Sequence, residues 1–110
     1  MLDKRNFYIN GAWVAPIDGR DLDVIDPSTE ESVAVISLGG KADTDAAVAA
    51  AKAALPGFMY SDPQSRLELV KRILEVYKAR NDEMGEAISL EMGAPVDMAK
   101  TSQSGSGTWH

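Results

Sequence analysis

The sequence contains no cysteine and a single histidine among its 110 residues. Without cysteine, these residues form no disulfide, offer no thiolate to a metal and carry no thiol nucleophile. The one histidine, His110, has no second histidine or cysteine to complete a site with it. These absences argue against thiol-based and histidine-based nucleophilic catalysis within these residues.

Long apolar runs and a basic excess are also missing. No stretch approaches the roughly 18–20 apolar residues of a membrane span, and the N-terminus lacks the apolar run of a signal peptide. Seventeen Asp and Glu against eleven Lys and Arg give a formal charge of −6, which argues against nucleic acid or an anionic membrane as the main partner. We therefore expect a cytoplasmic protein that binds neither nucleic acid nor membrane.

Residues 7–38 have the pattern of short β-strands joined by tight turns. Two β-prone runs flank Asn10-Gly11, the pair best suited to positive φ at both positions of a hairpin turn. A second pair of runs is joined by the turn-forming residues 26–31. The last run, 32–38, is apolar on both faces, so we expect neighbours to cover both of its sides. This region is predicted to form β-hairpins.

An alanine-rich segment, residues 43–55, predicts the first helix. Asp43 or Thr44 provides the N-cap, and the abundance of alanine favours both helix formation and close packing against another backbone. Pro56-Gly57 is predicted to stop this helix.

Residues 63–91 carry the strongest helical periodicity in the chain. Asp62 and Pro63 supply an N-cap and a first helical residue, and apolar residues then recur every three or four positions. Gly93 suits the left-handed position after the helix. The pattern predicts one long helix, followed by a further helix over 95–110 that we expect to fray because it is rich in Gly and Ser.

Four landmarks stand in order along the chain: the hairpin over 8–14, the turn segment over 24–31, Arg66-Leu67 near the start of the long helix, and Glu91-Met92-Gly93-Ala94-Pro95 after it. Each is weak alone. Their order and spacing together resemble the N-terminal quarter of the aldehyde dehydrogenase superfamily, and the resemblance covers essentially the whole chain.

The resemblance implies an α/β fold: the N-terminal portion of the aldehyde dehydrogenase cofactor-binding domain, with short antiparallel β-hairpins followed by two or three helices, one of them long. Members of the family bind NAD or NADP and oxidise an aldehyde through a cysteine thiolate, with an asparagine side chain and a backbone amide stabilising the oxyanion. Those groups lie outside the region that these residues resemble. The segment is therefore expected to hold no catalytic residue and to bind no cofactor itself, although the full-length enzyme uses NAD or NADP.

The resemblance also implies a structural monovalent cation site with main-chain ligands. Matching motifs place its local ligands at Val24, Ile25 and Glu91. The implied partners are the remainder of the dehydrogenase chain or other subunits, and a homo-oligomer is expected.

A second hypothesis is a non-catalytic interaction module that self-associates through its uncovered apolar faces. Two glycine pairs do not support a dinucleotide site: Gly39-Gly40 fits a strand-to-helix turn, and Gly105-Ser106-Gly107 lacks the third glycine and the preceding strand. Trp13 is interpreted as a cross-strand or core residue, whereas the role of Trp109 stays open.

Overall fold

A computed structural model describes residues 1–108, so Trp109 and His110, with their interpretations above, lie outside the described residues. The elements are β1 (Leu2–Lys4), β2 (Phe7–Ile9), β3 (Ala12–Val14), β4 (Arg20–Ile25), β5 (Ser32–Leu38), α1 (Lys41–Met59), α2 (Pro63–Ala79), α3 (Asn81–Met92), α4 (Val96–Met98), a π-helical turn (Ala99–Gln103) and a 3₁₀ turn (Gly105–Thr108). They form two compact units, one made of residues 1–25 and 32–61, the other of 26–31 and the residues from 62 onward. No helix in the described part of the chain is long and apolar enough to cross a membrane.

The predicted tight hairpin of the first unit is confirmed. Strands β2 and β3 pair antiparallel, with Tyr8 opposite Trp13. Asn10 and Gly11 have φ of 54° and 78°, the positive values that a two-residue turn needs to match the twist of its strands. The rings of Tyr8 and Trp13 pack edge to face with centroids 5.3 Å apart. Trp13 is 70% exposed, so of its two predicted roles the cross-strand one is confirmed and the core one is wrong.

The second sheet of this unit has the strand order β1-β5-β4. Strand β5 pairs antiparallel with β4, as the sequence predicted, and parallel with β1, which the sequence did not predict. Strand β5 is the central strand of this sheet, and Ala34 and Val35, on its opposite faces, are each 8% exposed. The register shifts between Val24 and Ile25, so β4 ends in a β-bulge.

Helix α1 is longer at both ends than the predicted 43–55. It begins at Lys41 with Gly40 as N-cap, so Asp43 is the third helical residue and the predicted N-cap at Asp43 or Thr44 is wrong. The predicted stop at Pro56 is also wrong. A proline removes one hydrogen bond from the helix ladder, but the Tyr60 N–H still donates to the Pro56 carbonyl at 3.1 Å and closes a further turn.

The single long helix predicted over 63–91 is two helices in the structure, α2 and α3, separated at Arg80. Arg80 has φ −106° and ψ 11°, outside helical values. Apolar periodicity continues across this position and therefore hid the break. The local cause is a second start signal: Asp82 and Glu83 lie in the first turn of α3, where the helix dipole favours negative charge.

Both predicted caps of the second unit are confirmed. The Asp62 carboxylate accepts the Ser65 N–H at 3.1 Å, and Gly93 takes the left-handed conformation after α3, with φ 71°. The further helix predicted over 95–110 begins after Pro95. It continues as a π turn and a 3₁₀ turn through Thr108, where we predicted one fraying helix.

Candidate functional site

The predicted cation ligands occupy the ends of two elements. Val24 and Ile25 lie at the bulge that ends β4, in the first unit. Glu91 lies in the last turn of α3, in the second unit. Carbonyls at a helix C-terminus carry partial negative charge, which suits a cation. The site built from these three residues stays a prediction.

The second unit contains a buried polar cluster around Ser104, which is 1% exposed. The Tyr77 hydroxyl donates to the Ser104 carbonyl at 2.8 Å, and the Asn81 amide donates to the Lys100 carbonyl at 3.0 Å. The Ser104 hydroxyl lies 3.0 Å from Asn81 Oδ1 and 3.1 Å from the Lys100 oxygen. We call Tyr77, Asn81, Lys100 and Ser104 the Ser104 cluster. It links α2 and α3 to the π turn through hydrogen bonds.

Charges border this cluster at the Lys100 ammonium group. Lys100 Nζ lies 3.1 Å from Glu86 and 3.9 Å from Asp82. The hydrogen bond to Glu86 is the main reason that the pKa of Lys100 is raised above its usual range. This contact favours the charged form of the lysine side chain. Nearby, Gln103 Oε1 is the one buried side-chain oxygen or nitrogen of the described residues that has no hydrogen-bond partner.

In the first unit the notable charged group is Asp43, which is only 6% exposed. Its carboxylate accepts the Gly40 N–H at 3.0 Å and the Ile17 N–H at 2.8 Å. These two backbone hydrogen bonds, the Gly40 bond first, lower the pKa of Asp43. The carboxylate joins the start of α1 to the segment that follows the hairpin.

An open concavity of about 950 Å³ lies beside this segment, and its lining includes Trp13 and Arg5. Arg5 pairs with two carboxylates, Asp3 at 2.6 Å and Asp21 at 3.2 Å. The hydrogen bond from Arg5 lowers the pKa of Asp3 to about 2. Since both carboxylates neutralise the guanidinium, the concavity has no free Arg5 charge to attract an anionic ligand.

In both units these side-chain hydrogen bonds join separate segments of the chain. Over residues 1–108, no three His, Cys, Asp or Glu side chains come together where they could hold a metal ion. Sequence reasoning missed the Ser104 cluster because its residues are up to 27 positions apart and carry no local motif.

Comparison with known proteins decides the family. The protein-family sequence model described as "Aldehyde dehydrogenase family" matches residues 13–107. This chain belongs to the aldehyde dehydrogenase family. The resemblance carried by the four landmarks is thereby confirmed, and so is the α/β fold class expected from it.

Individual relatives agree with the family match. A 3-succinoylsemialdehyde-pyridine dehydrogenase from a Pseudomonas species is 41% identical over 111 residues, covering 100% of this chain and 23% of the relative. The crystal structure of an aldehyde dehydrogenase from Bartonella henselae is 52% identical, with a TM-score of 0.95 over 98% of this chain and 23% of that one.

A further structure, of an aldehyde dehydrogenase C mutant from Pseudomonas syringae in complex with NAD⁺ and octanal, is 42% identical with a TM-score of 0.89, over 92% of this chain and 21% of that one. This member of the aldehyde dehydrogenase family thus spans less than a quarter of the length of these relatives. It corresponds to their N-terminal portion.

Proposed function

We propose that this chain is the N-terminal scaffold segment of an NAD(P)-dependent aldehyde dehydrogenase and performs none of the chemistry itself. The whole enzyme would oxidise an aldehyde to a carboxylic acid with NAD or NADP as hydride acceptor. The observation that carries the proposal is the TM-score of 0.95 at 52% identity to a segment of an aldehyde dehydrogenase about four times as long.

The cofactor part of the proposal rests on two solved relatives. The Pseudomonas syringae enzyme was crystallised with NAD⁺ and octanal, and a methylmalonate-semialdehyde dehydrogenase from Sinorhizobium meliloti, described as putative, was crystallised with NAD. The latter is 33% identical to this chain, with a TM-score of 0.83. Shared ancestry at these identities supports the same cofactor class for the enzyme to which this segment belongs.

The inactivity of the segment rests on its own side chains. A thiolate nucleophile, the family's means of attack implied above, requires a cysteine, and the sequence has none. Two of its buried polar side chains are already engaged in hydrogen bonds within the segment: the Asp43 carboxylate accepts two main-chain N–H groups, and the Ser104 hydroxyl lies 3.0 Å from Asn81 Oδ1.

The scaffold role is supported by apolar side chains that the segment leaves uncovered. On α2, the residues Val70, Ile73 and Val76, spaced three apart, are 59%, 58% and 59% exposed. Helix α1 likewise exposes half of Leu55 and Phe58. Apolar faces of this extent mark surfaces that another part of a protein covers. We propose that the rest of the dehydrogenase polypeptide, or another subunit of a homo-oligomer, covers them.

The inactivity is tested by assaying the purified 110 residues for aldehyde-dependent reduction of NAD⁺ and of NADP⁺. Octanal and a semialdehyde serve as substrates, because octanal is bound in the solved Pseudomonas syringae relative and a semialdehyde is named in the description of the Pseudomonas relative. We expect absorbance changes equal to the enzyme-free blank. Turnover that scales with protein concentration and survives repurification would contradict the proposal.

Self-association is the second candidate function, favoured by the same uncovered α2 face and by the free edge of β4. Sedimentation velocity across micromolar concentrations tests it. A dimer that dissociates when Ile73 is changed to Lys would support it, with Lys71→Ala on the same helix as the control. A concentration-independent monomer would remove this alternative and leave the scaffold role in place.

A further inference from the structure

Among the described residues, the segment Ala99–Gln103 is the one π-helical turn, in which an N–H donates to the carbonyl five residues earlier. The Ser104 N–H donates to the Ala99 carbonyl, five residues earlier, at 2.8 Å. In an α-helix the same N–H donates to the carbonyl four residues earlier, which here belongs to Lys100. Because π turns are rare and occur mostly as single turns inside α-helices, a specific local cause is expected.

The cause lies at the Lys100 carbonyl oxygen. Asn81 Nδ2 donates to it at 3.0 Å and so occupies one of the two lone pairs of the oxygen that an α-helix would offer to the Ser104 N–H. The Ser104 hydroxyl also lies 3.1 Å from this oxygen. Ser104 is 1% exposed, so water has no access to compensate a lost bond, and its N–H bonds to the next available carbonyl.

Close backbone contact brings Asn81 within reach of that carbonyl. Gly85, one turn further along α3, is buried against Lys100. A Cβ at position 85 would lie 2.9 Å from Lys100 Cα and 3.0 Å from Lys100 N, so only glycine permits this approach. The approach holds the Lys100 main chain beside the first turn of α3, where Asn81 is the first residue.

We propose that the Asn81 side chain is a register switch for this segment. With its amide bonded to the Lys100 carbonyl, the segment takes the π register, in which Ser104 bonds to Ala99. Without that donor it takes the α register, in which Ser104 bonds to Lys100. A one-residue change of register rotates the following residues by about 100° and shifts them by about 1.5 Å along the axis. Asn81 thereby sets the direction of Gly105–Thr108 relative to α3.

The register is read by the NMR scalar coupling across the hydrogen bond of the Ser104 amide, in the uniformly labelled 110-residue chain. The native chain should couple Ser104 nitrogen to the Ala99 carbonyl carbon. Asn81→Asp keeps the size of the side chain and removes its donor, so the coupling should move to the Lys100 carbonyl carbon. Asn81→Ala, which suits the first turn of a helix, should show the same move and serves as the second variant.

Two control variants separate the switch from a general loss of packing. Tyr77→Phe removes the bond to the Ser104 carbonyl but leaves Asn81 on Lys100, so the coupling should stay with Ala99. Ser89→Ala removes a hydrogen bond to Ala94, 2.7 Å long, at the other end of α3 and should also leave it there. A folded Asn81 variant that keeps the Ala99 coupling, or a control that moves it, would overturn the proposal.

Discussion

Replacing Gly85 with alanine tests how tightly α3 packs against the π turn. The added Cβ would meet Lys100 Cα at 2.9 Å and Lys100 N at 3.0 Å, with Lys100 Cγ closer still. The Cγ atom can move with its flexible side chain. The two main-chain atoms cannot, so α3 and the π turn must separate by several tenths of an ångström.

The magnitude follows from two opposing effects. Overpacking in a tight site costs about 1–3 kcal/mol, and contact with main-chain atoms places this case at the upper end of that range. Alanine in place of glycine inside a helix contributes about 1 kcal/mol of stability. The net change for Gly85→Ala is therefore a loss of about 2 kcal/mol in the free energy of unfolding.

Gly57→Ala is the matched control, because Gly57 also lies inside a helix but a Cβ there meets nothing within 4 Å. It should gain up to about 1 kcal/mol from helix propensity alone. Since 1 kcal/mol corresponds to roughly 4–8 °C for a domain of about this size, the two variants should move Tm in opposite directions. Thermal unfolding followed by far-UV circular dichroism measures both. A Gly85→Ala chain that melts at or above the native temperature would refute the close packing.

Three further predictions concern other contacts. Asp43→Asn should lower Tm at neutral pH, and the deficit should shrink in acid: the lowered pKa of Asp43 means that its contribution is present above about pH 4 and is lost as pH falls through the native pKa. A native chain and variant with parallel pH profiles would contradict this. Gly11→Ala should cost about 1–2 kcal/mol in denaturant unfolding because φ is 78° there; no loss would disprove the left-handed turn. Tyr77→Phe should cost about 1 kcal/mol by leaving the Ser104 carbonyl without its donor, and an unchanged midpoint would show that this bond contributes nothing.

Features with a local cause were predictable from the sequence. The Asn10-Gly11 turn follows from two adjacent residues that tolerate positive φ, and the end of α3 follows from Gly93 in the same way. Asp62 followed by proline marks the start of α2 for an equally local reason. In each case the responsible atoms lie within a few residues of the feature.

Features that depend on distant partners were missed. Strand β1 forms because Leu2 pairs with Ala34, and the π turn forms beside Asn81, which is 19 residues from Lys100. The apolar periodicity identifies which face of a helix is apolar but not whether the helix is continuous, so the sequence predicted one helix across the break at Arg80. The Ser104 cluster was missed for the same reason, because hydrogen bonds to main-chain atoms leave no pattern of residue types in the sequence.

The central claim, that this chain supplies the scaffold and not the chemistry of an aldehyde dehydrogenase, is tested most directly by a chimera. The chain replaces the matching portion of the Bartonella henselae enzyme, to which it is 52% identical with a TM-score of 0.95. The same enzyme without that portion serves as the control. We expect aldehyde oxidation by the chimera at a rate close to that of the parent, and none by the shortened enzyme. A folded but inactive chimera, or full activity in the shortened enzyme, would contradict the account.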